Sequence, residues 1–580
     1  MDKKIDRQLV QENTPGGVKG FFINLGLVVL GVLLFSLSFP NLLVLKGIPI
    51  LAWVAYVPVF ILIRRVSVPA SVCWGALYGY VSYNAFNYWL SVFHPIAGLV
   101  VCSIYLVYLA VLFPLLKLAR ILFPKRGYLL QWLLWLGYEY LRTKGFLGYS
   151  YGVTGYSQWE MLPVIQIASI GGVWAVSALV LFPSVFLGSA LPARFTAEPG
   201  RAAVSRAVFA AIAGFFRRER IFALLWAAAL ALTLVYGVVS PVDYSAAPRA
   251  KISLIQQNND PWKDDGPAAY VANLRVLTRL SEEALAAEPD SELVVWSETA
   301  FVPRIYWHLT YRDQPAFYPI VKDLMDYLAE KDVPFVLGND DTRKEVSARG
   351  FWDEVSYNGV WLFEKDTMKQ LYRKLHLVPF TEHFPYEKQF PFIYDLLAGR
   401  DDIHLWKAGN DPVVFETGRL KFSTPICFED TFGYLSRNFV RNGAELLVNV
   451  SNDAWSKSVP AQMQHLSMAV FRAVENRCSM IRSTASGQTC AVDPNGRVLA
   501  MAEPFVATYL NVSIPLVKPA ALYTRWGDVL GVFFAAAAAA VLLTGIILAI
   551  LRSTIHPAQK SSGGLLGVKS ADETKNRRGV

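Results

Sequence analysis

Eight long apolar runs, interrupted once by a stretch of ordinary soluble composition, restrict this chain to a membrane-embedded architecture with one inserted domain. A helix needs about 20 mostly apolar residues to cross the hydrocarbon core of a bilayer. Seven runs lie within residues 1–240 and the eighth within 526–552. Residues 245–520 mix charged and apolar residues and are long enough to bury a core of their own. The predicted spans cover residues 20–40, 45–63, 72–92, 97–116, 128–141, 162–191, 221–239 and 529–551.

The distribution of Lys and Arg predicts the orientation of these spans, because cytoplasmic loops carry the excess of basic residues. If the N-terminus is cytoplasmic, the cytoplasmic segments before the eighth span carry sixteen Lys and Arg residues. Only Lys46, Arg142 and Lys144 then fall in the outer loops. Both termini are therefore predicted to be cytoplasmic and the inserted domain extracytoplasmic. Residues 553–580 are polar and are predicted to be a disordered cytoplasmic tail.

Several classes of partner are not expected. The net charge is +9, but much of the basic excess lies in short loops, and no nucleic-acid-binding signature is present. The seven histidines lack metal-ligand spacing, and there is no glycine-rich phosphate loop, so neither a metal nor another cofactor is expected. Five cysteines do not make a disulfide framework. Cys478 and Cys490 flank a predicted turn and could pair, but two buried thiols are favoured.

Residues 245–520 alternate short β-rich runs with amphipathic helical patterns, which favours α/β layers. Helices are predicted over 268–287, 318–330, 430–442 and 462–477. Strands are predicted over 251–256, 292–297, 333–338, 358–363, 368–373, 422–427, 445–450, 479–483, 488–492 and 497–501. Ligands of such folds bind at the carboxyl ends of strands, so residues that follow strands are the candidates for chemistry.

Three residues with reactive side chains stand at such positions. Glu298 follows one predicted strand, Lys374 ends a predicted hairpin and Cys427 ends a third strand. Each alone has a structural interpretation, as a turn carboxylate, a surface lysine and a buried cysteine. Together they form a nucleophilic site, because a thiol attacks a carbonyl carbon as its thiolate and needs a base or a positive neighbour.

The three side chains have complementary roles in acyl transfer. Glu298 can take the thiol proton, and Lys374 can stabilise the thiolate and the oxyanion of a tetrahedral intermediate. Cys427 is predicted to start a helix, which would direct backbone N–H groups, notably that of Phe428, at the same oxyanion.

The order of these residues and the motifs around them resemble the nitrilase superfamily of carbon–nitrogen hydrolases. The resemblance covers residues 250–510 and implies an α-β-β-α sandwich for the inserted domain. The motifs that carry it are Ser297-Glu298, Arg373-Lys374-Leu375-His376-Leu377, Ile426-Cys427-Phe428-Glu429-Asp430, Asn449 to Trp455, Gln464-His465-Leu466, Arg472 to Arg477 and Asp493-Pro494-Asn495-Gly496.

One membrane branch of that superfamily, the apolipoprotein N-acyltransferases, inserts the domain between a seventh and an eighth span, and this chain resembles it over its whole length. The resemblance implies a thioacyl intermediate on Cys427. It also implies a phospholipid acyl donor, with phosphatidylethanolamine expected, and the N-terminal diacylglyceryl-cysteine of an apolipoprotein as acceptor. The location it implies is the bacterial inner membrane.

Four further residues are predicted to support the site or contact substrate: Glu382, Phe428, Glu429 and Trp262. The stretch from His376 to Pro385 is similar to the one that follows the lysine in the membrane branch, and it implies that Glu382 orients Lys374 and the catalytic water or amine. Phe428 departs from that branch, which commonly has Tyr there. Trp262 and the aromatic residues of 384–392 are candidates for loops that contact lipid, with ordinary packing as the other interpretation.

Two alternative functions are open from the sequence. A membrane-tethered amidase would use the same three residues with water as acceptor, so only an acceptor assay separates it from a transferase. A transporter with an extracytoplasmic binding domain is the non-enzymatic alternative. Transporters often carry internal repeats and charges at mid-membrane, but the sequence shows no repeat, and Glu139 is the obvious charged candidate.

Overall fold

The computed structural model describes residues 17–93, 95–191, 201–259, 266–346, 352–386, 388–398 and 405–555. Helices build the part that precedes the inserted domain. They are α1 (Val18–Ser38), α2 (Val57–Arg65), α3 (Val68–Phe86), α4 (Leu90–Phe93), α5 (Pro95–Leu122), α6 (Gly127–Leu141), α7 (Leu162–Ile165), α8 (Ala168–Ala190), α9 (Arg201–Arg218) and α10 (Arg220–Val239).

The described residues of the inserted domain form two six-stranded sheets. The first has the order β12-β1-β2-β3-β4-β5 and the second β11-β10-β9-β8-β7-β6. The strands are β1 (Arg249–Gln256), β2 (Leu293–Trp296), β3 (Phe335–Val346), β4 (Trp352–Glu364), β5 (Thr367–Arg373), β6 (Phe415–Thr417), β7 (Leu420–Ser423), β8 (Leu446–Ser451), β9 (Ser479–Thr484), β10 (Cys490–Val492), β11 (Val498–Met501) and β12 (Thr508–Pro515).

Both sheets have a parallel centre with antiparallel strands on either side. β1, β2 and β3 are parallel in the first sheet, and β7, β8 and β9 in the second. The sheets face one another, and the Ser483 hydroxyl on β9 donates to the carbonyls of Ile255 and Val295 at 3.2 and 3.0 Å. The central strands β2 and β8 are buried along their whole length, as parallel strands covered on both faces require.

Helices cover the outer faces and return the chain to the membrane part. They are α11 (Pro267–Ala287), α12 (Ile305–Thr310), α13 (Tyr318–Ala329), α14 (Pro391–Ala398), α15 (Gly433–Arg441), α16 (Val459–Asn476), α17 (Leu522–Trp526) and α18 (Val529–Ile555). α11 packs on β1 and β12, while α16 packs between the second sheet and α8. Each strand and helix predicted for 245–520 has a counterpart in this arrangement, whereas β6, β12, α12 and α14 were not predicted.

Among the described helices, five are long and apolar enough to cross a membrane: Val18–Ser38, Gly98–Leu122, Ala168–Ala190, Arg220–Val239 and Val529–Arg552. Large apolar side chains on their surfaces are exposed; Leu224 and Leu232 of α10 are 66% and 69% exposed. Such a surface suits contact with lipid. This part of the chain is therefore a multi-pass membrane domain.

The predicted spans 45–63, 72–92 and 128–141 have no helix among these five, and the span predicted over 162–191 is divided into two helices. Residues 45–63 contain a 3₁₀ helix, Pro49–Trp53, and most of the nine-residue α2, because Pro49 and Pro58 each stand at the start of a new helix. α3 has 19 residues and α6 has 15. Residues 162–191 form α7 and α8, and α8 is kinked at Gly172, whose φ is +65°.

Two glycines explain how closely α3 and α5 pack. A Cβ on Gly75 would lie 2.3 Å from the carbonyl oxygen of Leu109, and one on Gly79 would lie 2.3 Å from that of Tyr105. Small residues four apart allow helix backbones to approach closely in membranes. The contact fixes Tyr105, whose neighbours Val100, Val101 and Ile104 face the inserted domain across a cavity.

Helix α16 fixes the inserted domain on the membrane helices. The Gln464 amide donates to the carbonyls of Pro40 and Phe86 and accepts from the Trp89 indole at 2.9 Å. At the kink of α8, the Val173 N–H donates to Glu475 Oε1 at 3.0 Å. Polar contacts buried between the two parts therefore hold them in one orientation.

Candidate active site

A cavity of about 340 Å³ lies between the inserted domain and the membrane helices, and Cys427 is on its wall. Glu298, Glu382 and Phe428 line the domain side. The opposite wall is apolar and aromatic and is formed by Trp89, Leu90, Val100, Val101, Ile104, Tyr105, Leu147, Tyr149 and Tyr151. The volume is in the range of small-molecule sites. A reactive thiol thus faces a surface suited to hydrocarbon.

Cys427 begins a five-residue 3₁₀ helix, Cys427–Thr431. The preceding strand β7 ends at Ser423 rather than at Cys427 as predicted, since Pro425 has no N–H with which to continue the ladder. The Cys427 backbone has φ +49°, a left-handed conformation that non-glycine residues adopt mainly in turns and functional sites. This turn leaves the residue 7% exposed at the cavity wall.

Glu298 follows β2, as predicted, and two hydrogen bonds fix its carboxylate. The Asn358 amide donates to Oε1 at 2.8 Å, and the Asn452 N–H donates to Oε2 at 2.9 Å. Asn358 lies on β4 and Asn452 follows β8, so each sheet contributes one donor. The carboxylate is held at the cavity and is 5% exposed as a residue.

Lys374 is fully buried, which excludes the interpretation as a surface lysine. Its Nζ lies 2.8 Å from Glu382 Oε1 and 3.4 Å from Glu298 Oε1. The Val378 N–H donates to the other oxygen of Glu382 at 2.9 Å. Burial alone would lower the pKa of Lys374, but the charges of Glu382 and Glu298 outweigh it and raise the pKa above its usual value. Lys374 is therefore a fixed cation.

The Cys427 thiol is protonated at rest. Burial raises its pKa well above the usual value, Glu298 raises it further, and Lys374 opposes them. A thiol in this state attacks a carbonyl only if a base removes its proton. The geometry therefore favours a nucleophile activated at the moment of attack over a stable thiolate.

Glu429 lies behind the cavity, and its two oxygens join the turn of Cys427 to the loop of Lys374. The Tyr372 hydroxyl and the N–H groups of Leu375, His376 and Ile426 donate to it at 2.7–3.0 Å. Burial raises its pKa to about 7, against the effect of these N–H donors. Glu429 is fully buried, so the contacts suit a supporting role rather than contact with substrate.

The remaining predicted residues differ in their placement. Phe428 lines the cavity, and its ring lies 6.4 Å from that of Tyr149 across it. Trp262 lies outside the described residues. In the aromatic stretch, Phe384 and Tyr386 pack on Phe146 of the membrane part at 6.2 and 5.5 Å.

Two parts of the site were not predicted from the sequence. One is the membrane wall, whose residues lie in predicted spans and the loops between them. The other is a buried ring of charges below Cys427, formed by Asp430, Asp453, His465 and Arg482. The motifs around these residues were recognised, but only the fold brings the four together. Cys478 and Cys490 are buried free thiols, as favoured.

Two family models match different parts of the chain. "Carbon-nitrogen hydrolase" matches residues 251–522, which defines the inserted domain as an enzyme domain of that class. "Apolipoprotein N-acyltransferase N-terminal domain" matches residues 31–186, within the membrane helices.

Curated relatives match almost the whole chain. Apolipoprotein N-acyltransferase 1 of Treponema pallidum is 46% identical over 91% of this chain and 96% of its own length. Apolipoprotein N-acyltransferase 1 of Treponema denticola is 41% identical over 88% and 94%, and the Geobacter metallireducens enzyme is 31% identical over 91% and 96%. The chain belongs to the apolipoprotein N-acyltransferase family, a membrane branch of the nitrilase superfamily. It is an acyltransferase, and the predicted resemblance is confirmed.

Proposed function

We propose that this chain transfers an acyl group from a phospholipid to the α-amine of the N-terminal diacylglyceryl-cysteine of apolipoproteins, through a thioacyl intermediate on Cys427. The observation that carries the proposal is the cavity with Cys427 and Glu298 on one wall and apolar membrane-helix residues on the other. An acyl chain of a membrane lipid suits that second wall. The relatives are named apolipoprotein N-acyltransferases, and from this name we infer that the acceptor is an apolipoprotein.

In the first step, Cys427 Sγ attacks the ester carbonyl carbon as Glu298 takes the thiol proton. The carbonyl electron pair moves onto oxygen, where Lys374 and the Phe428 N–H stabilise the charge. When the intermediate collapses, the ester C–O bond breaks and Glu298 returns the proton to the leaving oxygen. A lysophospholipid and a thioacyl enzyme result. Phosphatidylethanolamine is the donor we expect.

In the second step, the acceptor amine attacks the thioester carbonyl carbon and Glu298 takes a proton from the nitrogen. The C–S bond then breaks, and the sulfur regains the proton from Glu298. The product is an amide on the lipoprotein, and the enzyme returns to its thiol form. One carboxylate serves both steps because the donor and the acceptor react at the same carbon.

The first step can be tested without an acceptor. We expect the purified protein, incubated with phosphatidylethanolamine, to gain one acyl mass on the Cys427 peptide in mass spectrometry and to release an equimolar amount of lysophospholipid. When a diacylglyceryl lipopeptide is then added, the acyl group should leave Cys427, and the mass of the lipopeptide should rise by one acyl group. An intact thiol after prolonged incubation with the lipid would reject the mechanism. Ammonia release from amides, without lipopeptide acylation, would favour the amidase.

We further propose a domain division and topology in a bacterial inner membrane. Residues 1–240 cross seven times, 245–520 form an extracytoplasmic domain, 526–552 cross an eighth time and 553–580 form a cytoplasmic tail. Basic residues at the ends of helices farthest from the domain support this: Lys117 and Arg120 in α5, Arg217 and Arg218 before α10, and Arg552 in α18.

The topology is testable in intact spheroplasts with a membrane-impermeant maleimide. In a Cys73→Ser and Cys427→Ala background, Asp366→Cys in the β4–β5 turn should be labelled directly, because Asp366 is exposed on the domain. Ser67→Cys, exposed between α2 and α3, should be labelled only after permeabilisation. The opposite pattern would reverse the proposed orientation.

A further inference from the structure

The buried ring below Cys427 has a defined geometry. His465 Nε2 lies 2.7 Å from Asp430 Oδ1, and its Nδ1 lies 3.0 Å from Asp453 Oδ1. Arg482 pairs with Asp430 through one nitrogen and with Asp453 at 3.3 Å through another. The four residues are 0–3% exposed. Two anions and two potential cations therefore alternate around one ring.

The hydrogen-bond pattern sets the charge of His465. An ionised carboxylate only accepts hydrogen bonds, and a neutral imidazole has one donor nitrogen. Because both nitrogens face carboxylates, both carry hydrogens and the ring is an imidazolium. Burial and the charge of Arg482 lower the pKa of His465, whereas the charges of Asp430 and Asp453 raise it. The two carboxylates outweigh the opposing effects, and the pKa of His465 rises to about 9. Near neutral pH, the ring of four is electrically balanced.

The ring joins the two segments that must meet in the reaction. Asp430 belongs to the same 3₁₀ helix as Cys427. Asp453 follows Asn452, whose N–H holds Glu298. The charge of Asp453 also acts to raise the pKa of Cys427. A change of charge in the ring would therefore reach both the nucleophile and its base.

We propose that His465 is a positioning residue that acts as a cation: by balancing Asp430 and Asp453, it fixes the turn of Cys427 relative to the segment that holds Glu298. Without it, Arg482 alone would face two carboxylates, and their repulsion would strain both segments. His465 also lines the cavity, where Tyr151 lies 6.4 Å from it ring to ring. The inference rests on the proposed acyl transfer at Cys427.

The balance has a pH limit. Because folding favours the imidazolium, its contribution to the stability of the folded chain is complete below the ordinary histidine pKa of about 6.5. The contribution is lost as the pH rises through about 9, the pKa in the folded chain. The charged groups that face His465 are Asp430, Asp453 and Arg482, with Cys427 and Tyr151 nearby as titratable neighbours.

The test measures the rate at which iodoacetamide alkylates Cys427, followed on its peptide by mass spectrometry. This readout needs neither lipid nor lipopeptide. At pH 7 we expect His465→Asn to slow alkylation about 10-fold, the effect of one pKa unit on a thiol. Asp430→Asn added to His465→Asn restores the balance and should return the rate to within about threefold of wild type. His308→Asn, another buried histidine, is the matched control and should leave the rate unchanged.

A pH series separates this role from simple loss of stability. Wild-type acylation by phosphatidylethanolamine should fall between pH 8 and 10, about the pKa of His465, and the double variant should lack that fall. An unchanged rate in His465→Asn, or a double variant slower than the single one, would overturn the inference. If the alkylation pattern holds while wild type never gains an acyl mass, the proposed acyl transfer fails and the positioning role stands.

Discussion

Replacement of Cys427 by Ala should abolish both steps of the reaction. We expect no acyl mass on the enzyme and a loss of turnover on the order of 10⁴-fold or more, because among the described residues no other thiol lines the cavity and loss of a covalent nucleophile has effects of this size. Lysophospholipid release and lipopeptide acylation, measured on the same samples, should vanish together.

Cys478→Ala is the matched control for that change. Cys478 is a buried free thiol of the same domain, but it does not line the cavity. The Cys478→Ala change should lower the free energy of unfolding, because packing contacts of the thiol are lost. It should leave acylation at the wild-type rate. A Cys427→Ala protein that kept more than about a hundredth of the wild-type turnover would contradict the covalent mechanism, since the intermediate accounts for far more than that factor.

Replacement of Lys374 by Met should be the second most damaging change. It leaves Glu298 and Glu382 next to each other without their shared cation. Removal of one partner from a buried ion pair typically costs about 3–5 kcal/mol. Acylation should also fall on the order of 10³-fold, because the oxyanion loses a preorganised positive charge. Thermal unfolding and the first-step acylation rate measure the two effects.

A second variant distinguishes the structural part of this effect from the chemical part. Lys374→Met with Glu382→Gln removes the excess negative charge, so stability should recover while acylation stays low. At the surface, Lys407→Met breaks an ion pair of 3.0 Å with Glu345 in which Lys407 is 58% exposed. It should change stability by less than about 1 kcal/mol. Recovery of activity in the double variant would show that Lys374 acts through charge balance alone.

The inserted domain was predictable because its strands carry strong local signals. β2 is a continuous apolar run and β8 is apolar except at Asn449 and Ser451, and Glu298 follows β2 at a carboxyl end, where chemistry was expected. The hairpin of β4 and β5 was also predicted, and Lys374 directly follows it. These features depend on short segments of sequence, so they could be deduced without tertiary structure.

The features that were missed depend on proline positions or on distant contacts. Composition alone did not show that Pro49 and Pro58 divide the second apolar run, or that Pro425 ends β7 before the cysteine. The helix α9 lies between the spans predicted over 162–191 and 221–239, where no helix was predicted. The ring around His465 unites residues from positions 430 to 482, and no local pattern predicts such a contact.

The two walls of the cavity come from parts of the chain made at different times. A ribosome completes Trp89 to Tyr151 long before Cys427 emerges, so the hydrocarbon-facing wall exists before the nucleophile. An excised inserted domain that folded around its own sheets would expose Cys427 to bulk water, without a compartment to hold an acyl chain. Water would then compete as acceptor, and such a fragment would be expected to hydrolyse small activated esters rather than to acylate amines.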